Sequence, residues 1–261
     1  MARPRVLVLR APGTNCDQET AYAFDLAGAE SVRLHVNQLI ERPSLADNFQ
    51  VLCFPGGFSY GDDIAAGRIL ATQIEAHLSD MIEGFRAENR LVLGICNGFQ
   101  IMMRLGIFFD APKSRPPATL TWNAQGRFEN RWVHLKVTSD QTPFLTGIDT
   151  MYLPMAHAEG RFLTRDAAAM NDLKSNGQLA LRYCDETGAT GDTILSRPVN
   201  PNGAEMNIAG ICDASGNVFG LMPHPERHIH PTHHPFWTRR ETQPEYGEGF
   251  AFFQNAVKFF N

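Results

Sequence analysis

The chain has no apolar run approaching the roughly 18 residues of a spanning helix, and no surplus of positive charge. Its 23 Lys and Arg stand against 28 Asp and Glu, a formal net charge of −5. No membrane or nucleic-acid partner is therefore expected. Arg3 and Arg5 precede an apolar run at residues 6–9 that stops at Arg10 and Pro12, too short for a signal peptide. There is no C-x-x-C. The five cysteines, Cys16, Cys53, Cys96, Cys184 and Cys212, are odd in number and widely scattered. They read as reduced thiols of a cytoplasmic protein, with no metal site. No P-loop or other ATP-binding pattern occurs, and no internal repeat or low-complexity segment.

What is present is a pattern of short apolar runs alternating with helical stretches. With 261 residues the chain can bury a full core. Residues 5–10 and 91–95 read as buried strands, and 31–36 and 50–54 as two further strands. Asp17 is placed to cap a helix running to about Ala27, and another helical stretch covers about 64–88. This alternation predicts an α/β fold with a mostly parallel central sheet and helices on both faces. After Ala111 the prolines at 112, 116 and 117 break the pattern. Residues 127–138, 151–162 and 178–184 then read as strands, and 208–211 with 218–222 as a hairpin. The second half is an antiparallel extension of the first, giving one domain over residues 1–261. A closing helix over 249–260 buries Phe250, Phe253, Val257 and Phe260.

The chemistry concentrates at GICNG, residues 94–98, between the strand at 91–95 and a helix. This is G-x-C-x-G, the thiol counterpart of the G-x-S-x-G nucleophile elbow. A sharp strand-to-helix turn leaves no room for side chains two residues to either side of the nucleophile. Unpaired backbone N–H groups at the helix start favour an anionic sulfur. A buried structural cysteine is the ordinary alternative; the two glycines favour a nucleophile at Cys96, on a solvent-facing turn.

A thiol acting on an acyl group needs a base, and the base an orienter. Among nine histidines, His224 stands out in MPHPER, residues 222–227. Pro223 and Pro225 favour extended backbone before them, and residues two apart in an extended segment share a face. His224 and Glu226 then align as imidazole and carboxylate, where a proline-rich surface turn is the alternative. A His224 base predicts activity falling as pH drops through about 6 to 7. Oxyanion donors are expected from the Asn97 backbone N–H and from the turn at Pro55, Gly56 and Gly57.

These residues resemble the class I (triad) glutamine amidotransferases, and within them the glutaminase subunits of phosphoribosylformylglycinamidine synthases. The pieces are PGTNCD (12–17), PGGFSYGD (55–62), GICNGFQ (94–100), HAEGRF (157–162), NPNG (200–203) and MPHPER (222–227). They span nearly the whole chain. The resemblance implies the flavodoxin-like amidotransferase fold and a glutaminase with Cys96 as nucleophile, His224 as base and Glu226 as orienter. Gly57 and Asn97 would donate backbone hydrogen bonds to the oxyanion. Gln100 and His157 would contact glutamine. The chain itself would need no cofactor. ATP and magnesium would bind a large synthetase subunit, assembled with a small accessory subunit, which converts formylglycinamide ribonucleotide to the amidine in purine biosynthesis. The alternatives are a glutaminase serving another synthetase, and a non-catalytic assembly subunit.

Position 63 is Asp, where the family more often has an aromatic residue, and the segment after His228 is long. That segment holds His228, His230, His233 and His234 beside Phe236 and Trp237. A zinc or nickel site is the sharper reading and a packed capping loop the plainer one. Partner docking is expected at residues 58–60, 157–162 and 228–240.

Overall fold

The structure, a computed structural model, describes residues 3–112 and 114–261. The described residues form eleven strands: β1 (Arg5–Arg10), β2 (Glu30–His35), β3 (Val51–Phe54), β4 (Leu91–Ile95), β5 (Ala118–Thr121), β6 (Glu129–Val137), β7 (Thr150–His157), β8 (Arg161–Thr164), β9 (Leu181–Cys184), β10 (Ile208–Cys212) and β11 (Val218–Leu221). Nine of them make one sheet in the order β2-β1-β3-β4-β11-β10-β9-β6-β7. Its first five strands are parallel and the rest antiparallel. Strands β5 and β8 pair separately.

The seven α-helices of the described residues are α1 (Asp17–Leu26), α2 (Val36–Glu41), α3 (Arg68–His77), α4 (Ser79–Ala87), α5 (Asn97–Leu105), α6 (Ala167–Ser175) and α7 (Phe250–Lys258). Val6, Leu7 and Val8 in β1 are all 0% exposed, as are Leu91, Val92 and Leu93 in β4. Successive strand side chains point to opposite faces, so helices must cover both. α1 packs on α7 through an edge-on Phe24–Phe253 contact at 4.9 Å, a geometry contributing about 0.5–1.5 kcal/mol beyond area burial. Phe252, outside the expected stripe, stacks on Phe144 and meets Phe219 of β11.

Four features differ from expectation. The helical stretch at 64–88 is two helices, because Leu78 leaves the helical region at φ −131°, ψ 15°. It starts late because Gly67 is left-handed (φ +70°) and presses on α5: a Cβ there would sit 2.8 Å from Ile101 Cγ1. Strand β5 lies in the segment read as broken by prolines, and α6 is an unexpected helix capped by Asp166, whose side chain accepts the Ala169 N–H at 2.8 Å. Asp17 does not cap α1; it is the first helical residue and pairs with Arg10 and Arg33. Among the described residues no helix is long and apolar enough to cross a membrane.

Candidate active site

The carboxyl ends of β1, β3, β4 and β11 meet at one edge of the sheet, where ligand crevices of such sheets lie. Cys96 follows β4 there with φ 51° and ψ −104°. A positive φ on a non-glycine residue stores strain, and such residues cluster at functional sites. The Cys96 N–H is tied to the Leu221 carbonyl of β11 at 2.8 Å, and its own carbonyl accepts from Gln100 N–H to open α5. The flanking glycines have distinct steric reasons. A Cβ on Gly94 would meet Met102 Sδ at 2.3 Å and Gly98 at 2.8 Å, and one on Gly98 would lie 1.8 Å from the Phe54 carbonyl oxygen. Helix α5 is thus pressed directly onto β3 and β4. Contrary to expectation, the Cys96 turn does not face solvent: the residue is 4% exposed and its thiol points to the Ala156 carbonyl at 3.6 Å.

His224 follows β11, anchored by its N–H on the Pro154 carbonyl at 2.8 Å. Its Nδ1 donates to Glu226 Oε1 at 2.6 Å, and both residues are buried. The expected pairing is present, but its local cause is different. Residues Pro225–Arg227 form a 3₁₀ turn that curls Glu226 back to the ring, rather than one extended run. Burial alone pushes the imidazole down. The Glu226 carboxylate and the Cys96 and Cys16 thiols outweigh it, and the net direction is well above the ordinary 6.5. The direction favours a protonated His224 ring.

Sequence reasoning missed Cys16 as a neighbour of this pair. Its thiol, His224 and Glu226 bring their polar atoms within 4.8 Å of one another. Arg227 Nη2 donates to Cys16 Sγ at 3.1 Å, and burial drives this thiol up to about 11. Cys16 is therefore a neutral spacer at neutral pH. Gly56 lies against it: a Cβ there would come within 2.8 Å of the His224 ring and 3.0 Å of Cys16 Sγ. The PGTNCD and PGG motifs were visible in sequence, but their convergence on His224 was not.

Gly57 (φ +146°) bridges to Thr14 and lines a narrow pocket with Phe58, Asp62, Cys96, Gln100, His157 and Glu159. Asn97 is buried. Its carboxamide accepts from Ser59 N–H (3.1 Å) and donates to Gln100 Oε1 (3.1 Å) and Asp62 (3.4 Å). Gln100 in turn donates to the Glu159 carbonyl at 2.7 Å. These contacts fix the Gly57 loop and the HAEGRF segment around the start of α5.

His157 is 2% exposed, and burial pushes its pKa down to about 3, so the ring is neutral. Asn123 fixes its tautomer. The Asn123 amide nitrogen donates to the Arg127 and His157 carbonyls, so its oxygen faces His157 Nδ1 at 3.1 Å. Nδ1 carries the proton, and Nε2 is a lone pair with no partner. Gly160 covers this ring; a Cβ there would sit 2.2 Å from Cε1.

The histidines after 227 are used in packing. His228 contacts the Tyr152 carbonyl at 2.8 Å and Trp132 edge-on at 5.0 Å, and His230 contacts the Tyr22 hydroxyl. The described residues that bring three ligand types together are Cys16, His224 and Glu226, not this segment.

Comparison with known proteins gives a consistent result. The family model for the CobB/CobQ-like glutamine amidotransferase domain matches residues 3–260. A relative from Dehalococcoides mccartyi, phosphoribosylformylglycinamidine synthase subunit PurQ, is 45% identical over 260 residues, covering 99% of this chain and 98% of the relative. The protein of the same name from Methanococcus maripaludis strain S2 is 41% identical, with 99% and 98% covered. A chain in the solved structure of PurLQS from Thermotoga maritima superposes with TM-score 0.74 at 29% identity, covering 100% of both chains. With a strained cysteine elbow, a buried His–Glu pair and these matches along its length, the chain belongs to the CobB/CobQ-like glutamine amidotransferase family.

Proposed function

We propose that this chain is the glutaminase subunit of phosphoribosylformylglycinamidine synthase, one amidotransferase domain working in the cytoplasm. The observation that carries the catalytic assignment is the elbow at Cys96 beside the buried His224–Glu226 pair. Its five free cysteines fit a reducing compartment.

The Cys96 sulfur attacks the γ-carboxamide carbon of glutamine. The resulting oxyanion takes the backbone N–H groups of Asn97, at the start of α5, and Gly57, whose missing side chain allows close approach. Protonated His224, held by Glu226, gives its Nε2 proton to the departing nitrogen. Ammonia leaves, and a γ-glutamyl thioester remains on Cys96. Neutral His224 then takes a proton from water, the hydroxyl adds to the thioester, and glutamate departs as the thiolate–imidazolium pair is restored. Gln100 and His157 border the glutamine pocket. Ammonia passes to a synthetase chain, which holds ATP and formylglycinamide ribonucleotide.

Two consequences are testable. Glutamate release by the complex should hold between about pH 6 and 7 and decline at higher pH, as His224 gives up its proton. Glu226→Gln removes the charge that keeps that proton, so the same limb should move to lower pH. A wild-type limb near pH 6.5 that ignores Glu226→Gln contradicts this assignment.

The second concerns docking. Phe162 and His157 are buried, so the 157–162 segment offers little surface. Among the described residues two exposed aromatic pairs remain: Phe58, which lines the pocket, with Phe128, their rings 6.4 Å apart, and Phe236 with Trp237. A reactive product is best transferred where the pocket opens, so the synthetase subunit docks over Phe58 and Phe128. Phe58→Ala with Phe128→Ala should weaken binding to that subunit at least about tenfold by calorimetry, at unchanged melting temperature. Should Phe236→Ala with Trp237→Ala do so instead, the docking face lies on that segment.

A further inference from the structure

His224 and Glu226 have a third neighbour that the reaction does not use. Cys16 is 1% exposed on their flank, and the ligand atoms of the three side chains lie within 4.8 Å of one another. Among the described residues no other three His, Cys, Asp or Glu side chains converge this closely. They meet where Gly56 has no side chain. A Cβ there would lie 2.8 Å from His224 Cε1, 3.0 Å from Cys16 Sγ and 3.4 Å from His224 Nδ1. The sulfur therefore stands against the Cε1–Nδ1 edge of the ring, and Nδ1 also faces Glu226 Oε1 at 2.6 Å. The carboxylate is only half engaged, because Glu226 Oε2 is buried with no partner. An orphaned buried acceptor carries a desolvation cost that a cation relieves. Thiolate, imidazole and carboxylate are the ligand types of zinc, which is often held by three protein ligands and a water.

We propose that Cys16, His224 and Glu226 form an inhibitory site for zinc-class cations, in which the metal replaces the proton between His224 and Glu226. Metal capture is independent of the substrate; its inhibitory consequence rests on the glutaminase reading. The charges balance. The Cys16 thiol and Nδ1 of protonated His224 each release a proton to solvent, and one dication takes their place. The net charge of the buried site is unchanged. Sulfur, Nδ1 and a carboxylate oxygen each supply a lone pair, and water fills the open position. Arg227 Nη2, 3.1 Å from Cys16 Sγ, is a hydrogen-bond donor already in place for the thiolate, and Glu19 at 2.8 Å offsets its charge. The sulfur selects zinc and cadmium over magnesium and calcium. Metal-bound His224 keeps one proton, on Nε2, and has no basic lone pair left. It is a far weaker acid than imidazolium, so neither proton transfer of the reaction can proceed. Cys96 is not a ligand, which separates this site from metal capture by the nucleophile.

Cadmium is the probe, because its thiolate complexes absorb in the ultraviolet. The full chain titrated with cadmium should show a thiolate-to-metal charge-transfer band. That band should lose one thiolate's share in Cys16→Ser and stay whole in Cys96→Ser. In the complex with the synthetase subunit, zinc and cadmium should each inhibit glutamate release, and a chelator should restore it. The metal concentration giving half-inhibition, with each complex compared to its own metal-free rate, should rise at least about tenfold in Cys16→Ser. Even an outer-shell partner is worth about 10–100-fold in metal affinity. A band that survives Cys16→Ser and disappears in Cys96→Ser puts the metal on the nucleophile and overturns the proposal. Equal metal sensitivity of the wild-type and Cys16→Ser complexes overturns it too. Wild-type complex that releases no glutamate without metal overturns the glutaminase reading, and the band still decides the site. Should Cys16→Ser fail to fold, Cys16→Ala serves in both measurements.

Discussion

Cys96→Ser should lower glutamine-dependent activity by at least about 10³, the scale of removing one member of a catalytic unit. The substitution changes one atom, and Ser accepts the same backbone geometry, so the melting temperature should move little. The loss follows from chemistry. A hydroxyl in this pocket is a far poorer nucleophile than a thiolate, and the residue stands between strand and helix with no second sulfur at the same place. Cys16 is close to His224, but burial holds its thiol up at about 11 and Arg227 occupies its sulfur. It should not substitute. Synthesis driven by added ammonium should persist in the Cys96→Ser complex, because the acceptor site is on the partner. Loss of the ammonium-driven reaction as well would mean that the substitution damages assembly.

Gly98→Ala should be the most damaging single methyl in the chain. The new Cβ would fall 1.8 Å from the Phe54 carbonyl oxygen and 2.6 Å from its carbon, both backbone atoms of β3. No rotamer relieves this, so α5 must lift off the sheet. Overpacking of this kind costs about 1–3 kcal/mol or more, and here the expected loss is at the upper end. The lifted helix also carries the Asn97 N–H and the Cys96 sulfur, and displacements near 1 Å can cost about 10² in rate. Gly84→Ala is the control. In α4 nothing lies within 4 Å of the place the new methyl would take, so this change should stabilise by about 0.5–1 kcal/mol. Thermal melts of the two variants should move in opposite directions. A Gly98→Ala melt close to wild type would mean that the elbow tolerates a side chain.

Strands β1, β3 and β4 of the parallel half were legible because they are buried on both faces and read as continuous apolar runs. The elbow was legible because a steric demand leaves glycine at fixed spacing, and Gly94 and Gly98 carry it. The His224–Glu226 pairing was legible from residue type, while the 3₁₀ turn that makes it was not, since Pro225 suits both turn and extended backbone. Strand β5 escaped because four residues among prolines show too little alternation. Helix α6 was missed although Asp166 before an alanine run is an N-cap signal. What local pattern cannot carry is convergence. Cys16 and Arg227 meet across 211 residues of chain, and Asp62, Asn123 and Glu159 reach one pocket region from three different loops. Their roles depend on which lone pairs remain unpaired after packing, a property of the assembled site.

The central claim, that Cys96 takes the γ-glutamyl group, is tested most directly by a diazoketone analogue of glutamine. This electrophile is carried to the site by the same amino-acid end and alkylates the sulfur that attacks. Peptide mass spectrometry of the treated complex should find one label, on Cys96, blocked by excess glutamine and accompanied by full loss of glutaminase activity. Label on Cys16, or full inactivation with Cys96 unmodified, would contradict the account.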